Sequence, residues 1–366
     1  MTTSFRIPTL ADVLAEQRDL DGLCRDRALH TPEICWFNGY YGMDVVLKLY
    51  ADLPLSRPLK VALTHGIQLH RDFVWAAEIG APVPAMLVYP EHLAVPYRAK
   101  TGKATFRAAA PYLYAVRLLE PQPRPARQGT LFFLSHSSHW VTARSDFDGI
   151  RRLLAQLPPD CHPITVCVYW RDHELGHHKA FAERGFKIVS AGHIYDRAFL
   201  FRLHHLIAMH KYACGNELGS HLFYSIKSGA SYFHLNGLRH VTTDRDESGE
   251  EPLQNLHLPT ALRERVEAMF ASPALQISDE RMQFVDAYTG ADFLMTRPEL
   301  RAFLAFCERL DRIGVASWKG ERYARWPQAL SRVFWHAPRR TAGRVARKVL
   351  PPGARRAVRR IIGTST

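Results

Sequence analysis

The segment Lys211 to Gly229, KYACGNELGSHLFYSIKSG, joins a short apolar run to a helix that opens on Gly219, Ser220 and His221. A helix starting on small polar residues at the carboxyl end of a strand points its first N–H groups outward, and Gly219 lets a phosphate approach the backbone. Leu222, Phe223 and Ile226 supply one apolar face at helical spacing, and Gly229 is placed as the stop. An ordinary N-capped helix would read the same way. Three further loops share its character. Thr64-His65-Gly66-Ile67-Gln68-Leu69-His70, Ser135-His136-Ser137-Ser138-His139-Trp140 and Gly192-His193 are polar and rich in donors, and each follows an apolar run.

The elements that must position these loops alternate. In the first half, EICWF (33–37), KVALT (60–64), AMLVY (85–89) and YLYAVRL (112–118) are predicted strands, with helices around 43–51, 70–79 and 91–100. Pro121 to Pro125 with Gly129 marks a link. The alternation then restarts with TLFFLS (130–135), a helix over 145–156, ITVCVYW (164–170), a helix over 175–184 and FKIVSA (186–191). It continues with a helix over 196–209, YAC (212–214), a helix over 219–228 and SYFHL (231–235). Continuously apolar strands separated by helices of this length predict parallel sheets, with ligand loops at the carboxyl ends of the strands. The fold class expected is α/β, in two tandem domains of residues 1–125 and 126–315, followed by a basic amphipathic tail over 316–366.

At 366 residues, 47% hydrophobic and 23% charged, the chain has the composition of a globular protein with room for two cores. It contains no apolar run of membrane-spanning length, and Asp12, Glu16, Arg18, Asp19 and Asp21 stand where a secretory signal would be apolar. Six cysteines without a CxxC pair predict reduced core thiols in a cytoplasmic protein. The histidines of 173–178 and 204–210 have no carboxylate or cysteine set at ligand spacing, so no metal is expected. The net charge of +13 is concentrated: from Trp318 to Thr366 there are thirteen Lys or Arg against one acid, Glu321. Interleaved with Trp326, Trp335, Val345, Ile361 and Ile362, these cations suit an anionic membrane surface contacted through residues 318–366. No specific nucleic acid is expected, since no recognition module is present.

With a His-Gly loop in the first domain and a small-residue helix start in the second, the chain resembles GT-B glycosyltransferases. Within these it is similar to the bacterial group of CDP-glycerol glycerophosphotransferases and capsule or lipopolysaccharide sugar transferases, over roughly residues 30 to 310. The resemblance implies two tandem Rossmann-like domains, the first for acceptor and the second for a nucleotide-activated sugar donor, with a basic C-terminal helical tail. It implies His65 as catalytic base, with Gly66 and Gln68 on the acceptor side, and Gly219-Ser220 as the donor-phosphate site. Ser137, Ser138, Gly192, His193, Asn216 and His221 complete the expected donor-binding set. The reaction implied is metal-independent transfer of a sugar to a hydroxyl of a lipopolysaccharide or capsule glycan, without cofactor, the nucleotide sugar being substrate. The setting implied is peripheral, on the cytoplasmic face of the inner membrane. The usual acidic residue for the nucleotide ribose has no counterpart at its place, since Glu217 precedes the helix instead of following it. A sugar-nucleotide epimerase or hydrolase on the same fold, and a non-enzymatic protein docking on membrane or nucleic acid, are the competing functions.

Overall fold

The computed structural model describes residues 5–69, 74–123, 125–139, 141–235, 240–244, 259–274 and 276–317, and the basic tail lies outside them. The strands are β1 (Ala62–Leu63), β2 (Ala85–Val88), β3 (Ala104–Arg107), β4 (Thr130–Phe133), β5 (Val141–Ser145), β6 (Ile164–Cys167), β7 (Lys187–Val189), β8 (Tyr212–Gly215), β9 (Ser231–His234) and β10 (His240–Asp244). The α-helices are α1 (Leu10–Glu16), α2 (Leu20–Cys24), α3 (Met43–Tyr50), α4 (Ala76–Gly80), α5 (Glu91–Thr101), α6 (Pro111–Leu119) and α7 (Phe147–Ala155). They continue with α8 (Trp170–Glu174), α9 (Lys179–Ala182), α10 (Phe199–Ala208), α11 (Ser220–Lys227), α12 (Thr260–Met269), α13 (Asp279–Thr289) and α14 (Arg297–Ser317). Among the described residues no helix is long and apolar enough to cross a membrane.

The described residues are α/β and form two compact units, the part before Leu29 with Ala115–Val285, and Leu29–Tyr114 with the part from Asp286 on. They differ from blocks cut at 125/126 by an exchange of terminal segments, and side chains account for it. Gln17, just after α1, clamps the backbone of Ser190 by accepting from its N–H at 2.8 Å and donating to its carbonyl at 3.1 Å, and Glu16 pairs with Arg202 at 2.7 Å. In the other unit the Ala110 N–H donates to the Thr289 carbonyl at 2.9 Å, and Arg107 lies 4.0 Å over the Phe293 ring.

In the first of these units five parallel strands run in the order β7-β6-β4-β8-β9. Counted along the chain this is 3-2-1-4-5, the order of a Rossmann-like sheet. Phe132, Val166, Cys214 and Phe233, one from each of four neighbouring strands, share a buried cluster with Ile150 and Leu154 of α7 and Phe181 of α9. The apolar runs TLFF, ITVC, YACG and SYFH are buried along their whole length, as strands covered on both faces must be. A feature absent from the expected pattern is an antiparallel ribbon of β5 and β10, register Ser145 to His240 through Val141 to Asp244.

The second unit holds a parallel sheet in the order β1-β2-β3. Two expected strands are corrected here. EICWF leads into a 3-10 turn over Trp36–Gly42, because the Asn38 amide takes the place of a strand beside β1: it accepts from the Leu63 N–H at 2.9 Å and donates to the Val61 carbonyl at 2.9 Å. YLYAVRL is helix α6, opened by Pro111, whose fixed φ suits a first helical turn. β3, from the run ATFR, was not expected at all. Beneath the turn, Lys48 is fully buried and donates to Asp44 at 2.9 Å and to Glu33.

Candidate functional site

In a sheet ordered 3-2-1-4-5 the crossovers reverse direction between strands 1 and 4, and the loops leaving those two carboxyl ends open a crevice. Here the strands are β4 and β8, and their loops are Ser135 to His139 and Asn216 to His221. Asn216 ties them together. Its Oδ1 accepts from the Ser135 N–H at 2.8 Å, and its Nδ2 donates to Ser135 Oγ at 2.9 Å; Ser135 Oγ lies 2.7 Å from Ser145 Oγ at the end of β5. All of Asn216's short contacts are thus inside the protein, and it acts as a strut across the switch point.

Gly219 is the N-cap of α11 in an extended conformation, with no side-chain cap on the helix. The eight-residue helix therefore begins at the switch point on Ser220, both residues half-buried. His221, also half-buried, is fixed by its neighbours: its ring hydrogen-bonds the Glu217 backbone, its Nε2 lies 3.3 Å from the Tyr232 hydroxyl, and its ring packs on Phe133 at 4.9 Å. Desolvation, with His136 and His234 nearby, pushes its pKa down to about 3, so the ring is neutral. His221 thus shapes the loop instead of supplying charge to an anion.

Ser137 is fully buried; its N–H donates to Asp172 at 2.9 Å, and its Oγ accepts from the Ala143 N–H at 3.0 Å. Ser138 is half-buried in the same loop. Gly192 has φ +97°, and a Cβ there would meet Arg202 Nη1 at 2.9 Å and Leu23 Cδ1 at 3.1 Å. Only glycine fits that position without strain.

His193 is fully buried and belongs to a constellation that sequence reading missed. Among the described residues, Asp26, His139 and His193 bring three potential ligand atoms within 4.8 Å of one another. Asp26 Oδ1 lies 3.0 Å from His193 Nε2, 3.2 Å from His139 Nε2 and 2.8 Å from the Arg27 N–H. The Tyr195 N–H donates to His193 Nδ1 at 3.1 Å. That bond sets the tautomer: Nδ1 carries the lone pair, so Nε2 carries the proton and donates it to Asp26. A metal on Nε2 would require the opposite tautomer, so the trio is wired as hydrogen bonds converging on a carboxylate. Desolvation pushes the His193 pKa down to about 4 against the pull of Asp26, and His139 and Arg27 contribute to the lowering. Asp26 itself stays below the usual carboxylate range: burial opposes this, but the bonds from His139 and the Arg27 N–H outweigh it. No local signal in DGLCRDR marks Asp26; only the fold brings it to the histidines.

In the three-stranded unit, His65 follows β1 and is half-buried among the rings of Tyr40 at 5.6 Å, Tyr41 at 5.6 Å and Trp75 at 5.7 Å. Its N–H donates to Glu78 Oε1 at 2.9 Å, and the Trp75 N–H donates to Glu78 Oε2 at 3.2 Å. Glu78 is fully buried, and desolvation pushes its pKa up to about 7. Gly66 has φ +65°, and Gln68 reaches the His65 carbonyl at 3.4 Å. Gly66 and Gln68 thus belong to the turn that presents His65. Glu78, which holds both ends of this loop, was missed because nothing in AAEIG distinguishes it from a surface helix acid.

Compared with protein-family models, curated proteins and solved structures, the chain finds no match.

Proposed function

We propose that the chain is a glycosyltransferase of the GT-B type, taking a sugar from a nucleotide-activated donor to a hydroxyl of a surface glycan. The observation that carries this is the switch point of the five-stranded sheet, where α11 opens without a side-chain cap beside two loops tied by Asn216. A helix N-terminus at that place favours a diphosphate, and the transfer asks for fixed dipoles at the departing phosphate. His65 is proposed as the base that takes the acceptor proton, its loop held by Glu78. The donor sits on the five-stranded unit, and the acceptor side is assigned to the His65 loop of the other.

The test is thermal shift of the full chain across nucleoside diphosphates and their sugars, then transfer by variants. A ligand at about 100-fold over its Kd stabilises by about 2.7 kcal/mol. His65→Ala is expected to lower the transfer rate by about 10² to 10⁴ with donor binding unchanged. No stabilisation by any diphosphate would remove the proposal, and an unimpaired His65→Ala enzyme would remove His65 from it.

The basic tail is proposed to hold the enzyme on an anionic membrane surface, on the cytoplasmic face of the inner membrane. Each cation near such a surface contributes about 1 kcal/mol, screened beyond about 8 Å at physiological salt. Sedimentation with anionic vesicles is expected to pull down the full chain and to leave a chain ending at Gly314 in solution. Equal behaviour of the two would rule the tail out as the anchor.

A further inference from the structure

Asp26 is half-exposed, yet one of its oxygens is fully engaged. Oδ1 receives three hydrogen bonds, from His193, His139 and the Arg27 N–H, and Oδ2 takes none from any described residue. The backbone is held as well: the Asp26 N–H donates to Glu174 Oε1 at 3.1 Å, and the Arg27 side chain folds back onto the Gly22 and Leu23 carbonyls at 3.0 and 2.9 Å. The carboxylate is therefore oriented before any ligand arrives, with its second oxygen and two lone pairs available.

Its place in the sheet says what it is oriented for. His139 follows β4 and His193 follows β7, and the fully buried Trp170, which opens α8 after β6, packs its ring against both, at 4.6 and 4.2 Å. Asp26 thus stands at the carboxyl edge beside the second strand of the Rossmann-like order. In such sheets an acid at that place accepts the hydroxyls of a nucleotide ribose. Here the acid that follows β6, Asp172 of α8, is fully buried and already engaged by the Ser137 N–H at 2.9 Å and His177 Nδ1 at 3.0 Å.

We infer that Asp26, supplied by the segment after α2 and held by His139 and His193, is the acceptor for the ribose hydroxyls of a nucleoside diphosphate bound at the carboxyl edge of the five-stranded sheet. This rests on the donor assignment above and adds the residue that reads the sugar of the nucleotide. The two lone pairs of Oδ2 can accept the two hydroxyls of a vicinal diol, and a charge-assisted bond of that kind discriminates strongly against the analogue lacking the hydroxyl.

The experiment is titration calorimetry of the full chain with UDP, CDP, GDP and ADP and with their 2′-deoxy and 3′-deoxy counterparts. Wild type is expected to prefer the ribonucleotide that binds by about tenfold or more over at least one deoxy form. Asp26→Asn, which keeps an oxygen for the three donors, is expected to bring that ratio close to one while diphosphate binding persists. Asp26→Glu, which retains charge but displaces it, is expected to shrink the ratio too, and serves if the asparagine variant fails to fold. A diphosphate that binds wild type without ribose preference, or a preference that survives both variants, overturns the assignment and leaves the donor site standing. Failure of wild type to bind any diphosphate overturns both. One-to-one binding of Zn²⁺ or Ni²⁺, lost in Asp26→Asn and His193→Ala, overturns it in favour of a metal centre.

Discussion

The two units meet one problem with different chemistry. Where a strand ends and a loop carrying polar side chains begins, an N–H beyond the last ladder bond has lost its strand partner and needs another. In the five-stranded unit the neutral Asn216 amide takes the Ser135 N–H after β4. In the three-stranded unit the Glu78 carboxyl takes the His65 N–H after β1 and closes the loop on the Trp75 N–H. Both struts are buried. The amide does not titrate, whereas the carboxyl sits in a medium that pushes its proton affinity up to about 7. The loop proposed to bind anion is thus braced independently of pH, and the loop proposed to carry the base is braced by a group that titrates near neutrality.

The largest expected difference between the units comes from their buried polar groups. Lys48 sits between Glu33 and Asp44, and burial already pushes Glu33 up against the pull of the ammonium. Removing one partner of a buried ionic group strands the others, which costs about 3 to 5 kcal/mol. Lys48→Met is therefore expected to lose that much in urea denaturation, with Asn216→Ala losing less, about 1 to 3 kcal/mol for the stranded Ser135 N–H. Equal losses would mean that the ion cluster is solvated and that the contrast between units is one of residue names alone.

How far these struts could be read beforehand follows from their chemistry. The loops at the ends of β4, β7 and β8 were legible because continuous apolar runs such as TLFF and YACG can only be buried strands or helices, and Gly and Ser punctuate them. EICWF is as apolar, but its fate hangs on Asn38 reaching the edge of β1, a contact between residues 25 positions apart. β5 and β10 pair over about a hundred residues, and neither has a pattern of its own. Asp26 and Glu78 look like surface acids in sequence. Burial and partners define their roles, and those arise only from tertiary packing. The hydroxyl of Ser137 and the ring of His221 show the converse: polar residues, read from the sequence as ligand contacts, that the fold uses as braces.

The sharpest test of the comparison is in the pH dependence. His193 and His221 are held neutral in the five-stranded unit, with pKa values pushed down to about 4 and about 3 from 6.5, and burial lowers His205 and His210 as well. The unfolded chain binds protons to these groups first, so their contribution is complete above pH 6.5 and is lost as pH falls toward 4. Glu78 has the opposite sign. Its folded pKa of about 7 lies above the ordinary 4.5, so the folded state holds the proton longer, and stability declines as pH rises from 4.5 to 7. Between pH 4.5 and 6.5 the two slopes oppose each other, and wild type should show a flattened profile. Glu78→Gln removes the declining component and keeps an amide to accept one N–H, so its stability, whatever its level, should rise with pH more steeply than that of wild type. Urea denaturation of both proteins at half-unit steps across that window measures the difference in slope directly. Parallel curves would show that Glu78 is ionised throughout, held by the N–H groups it accepts, and that the His65 loop is braced as independently of pH as the loop at the switch point.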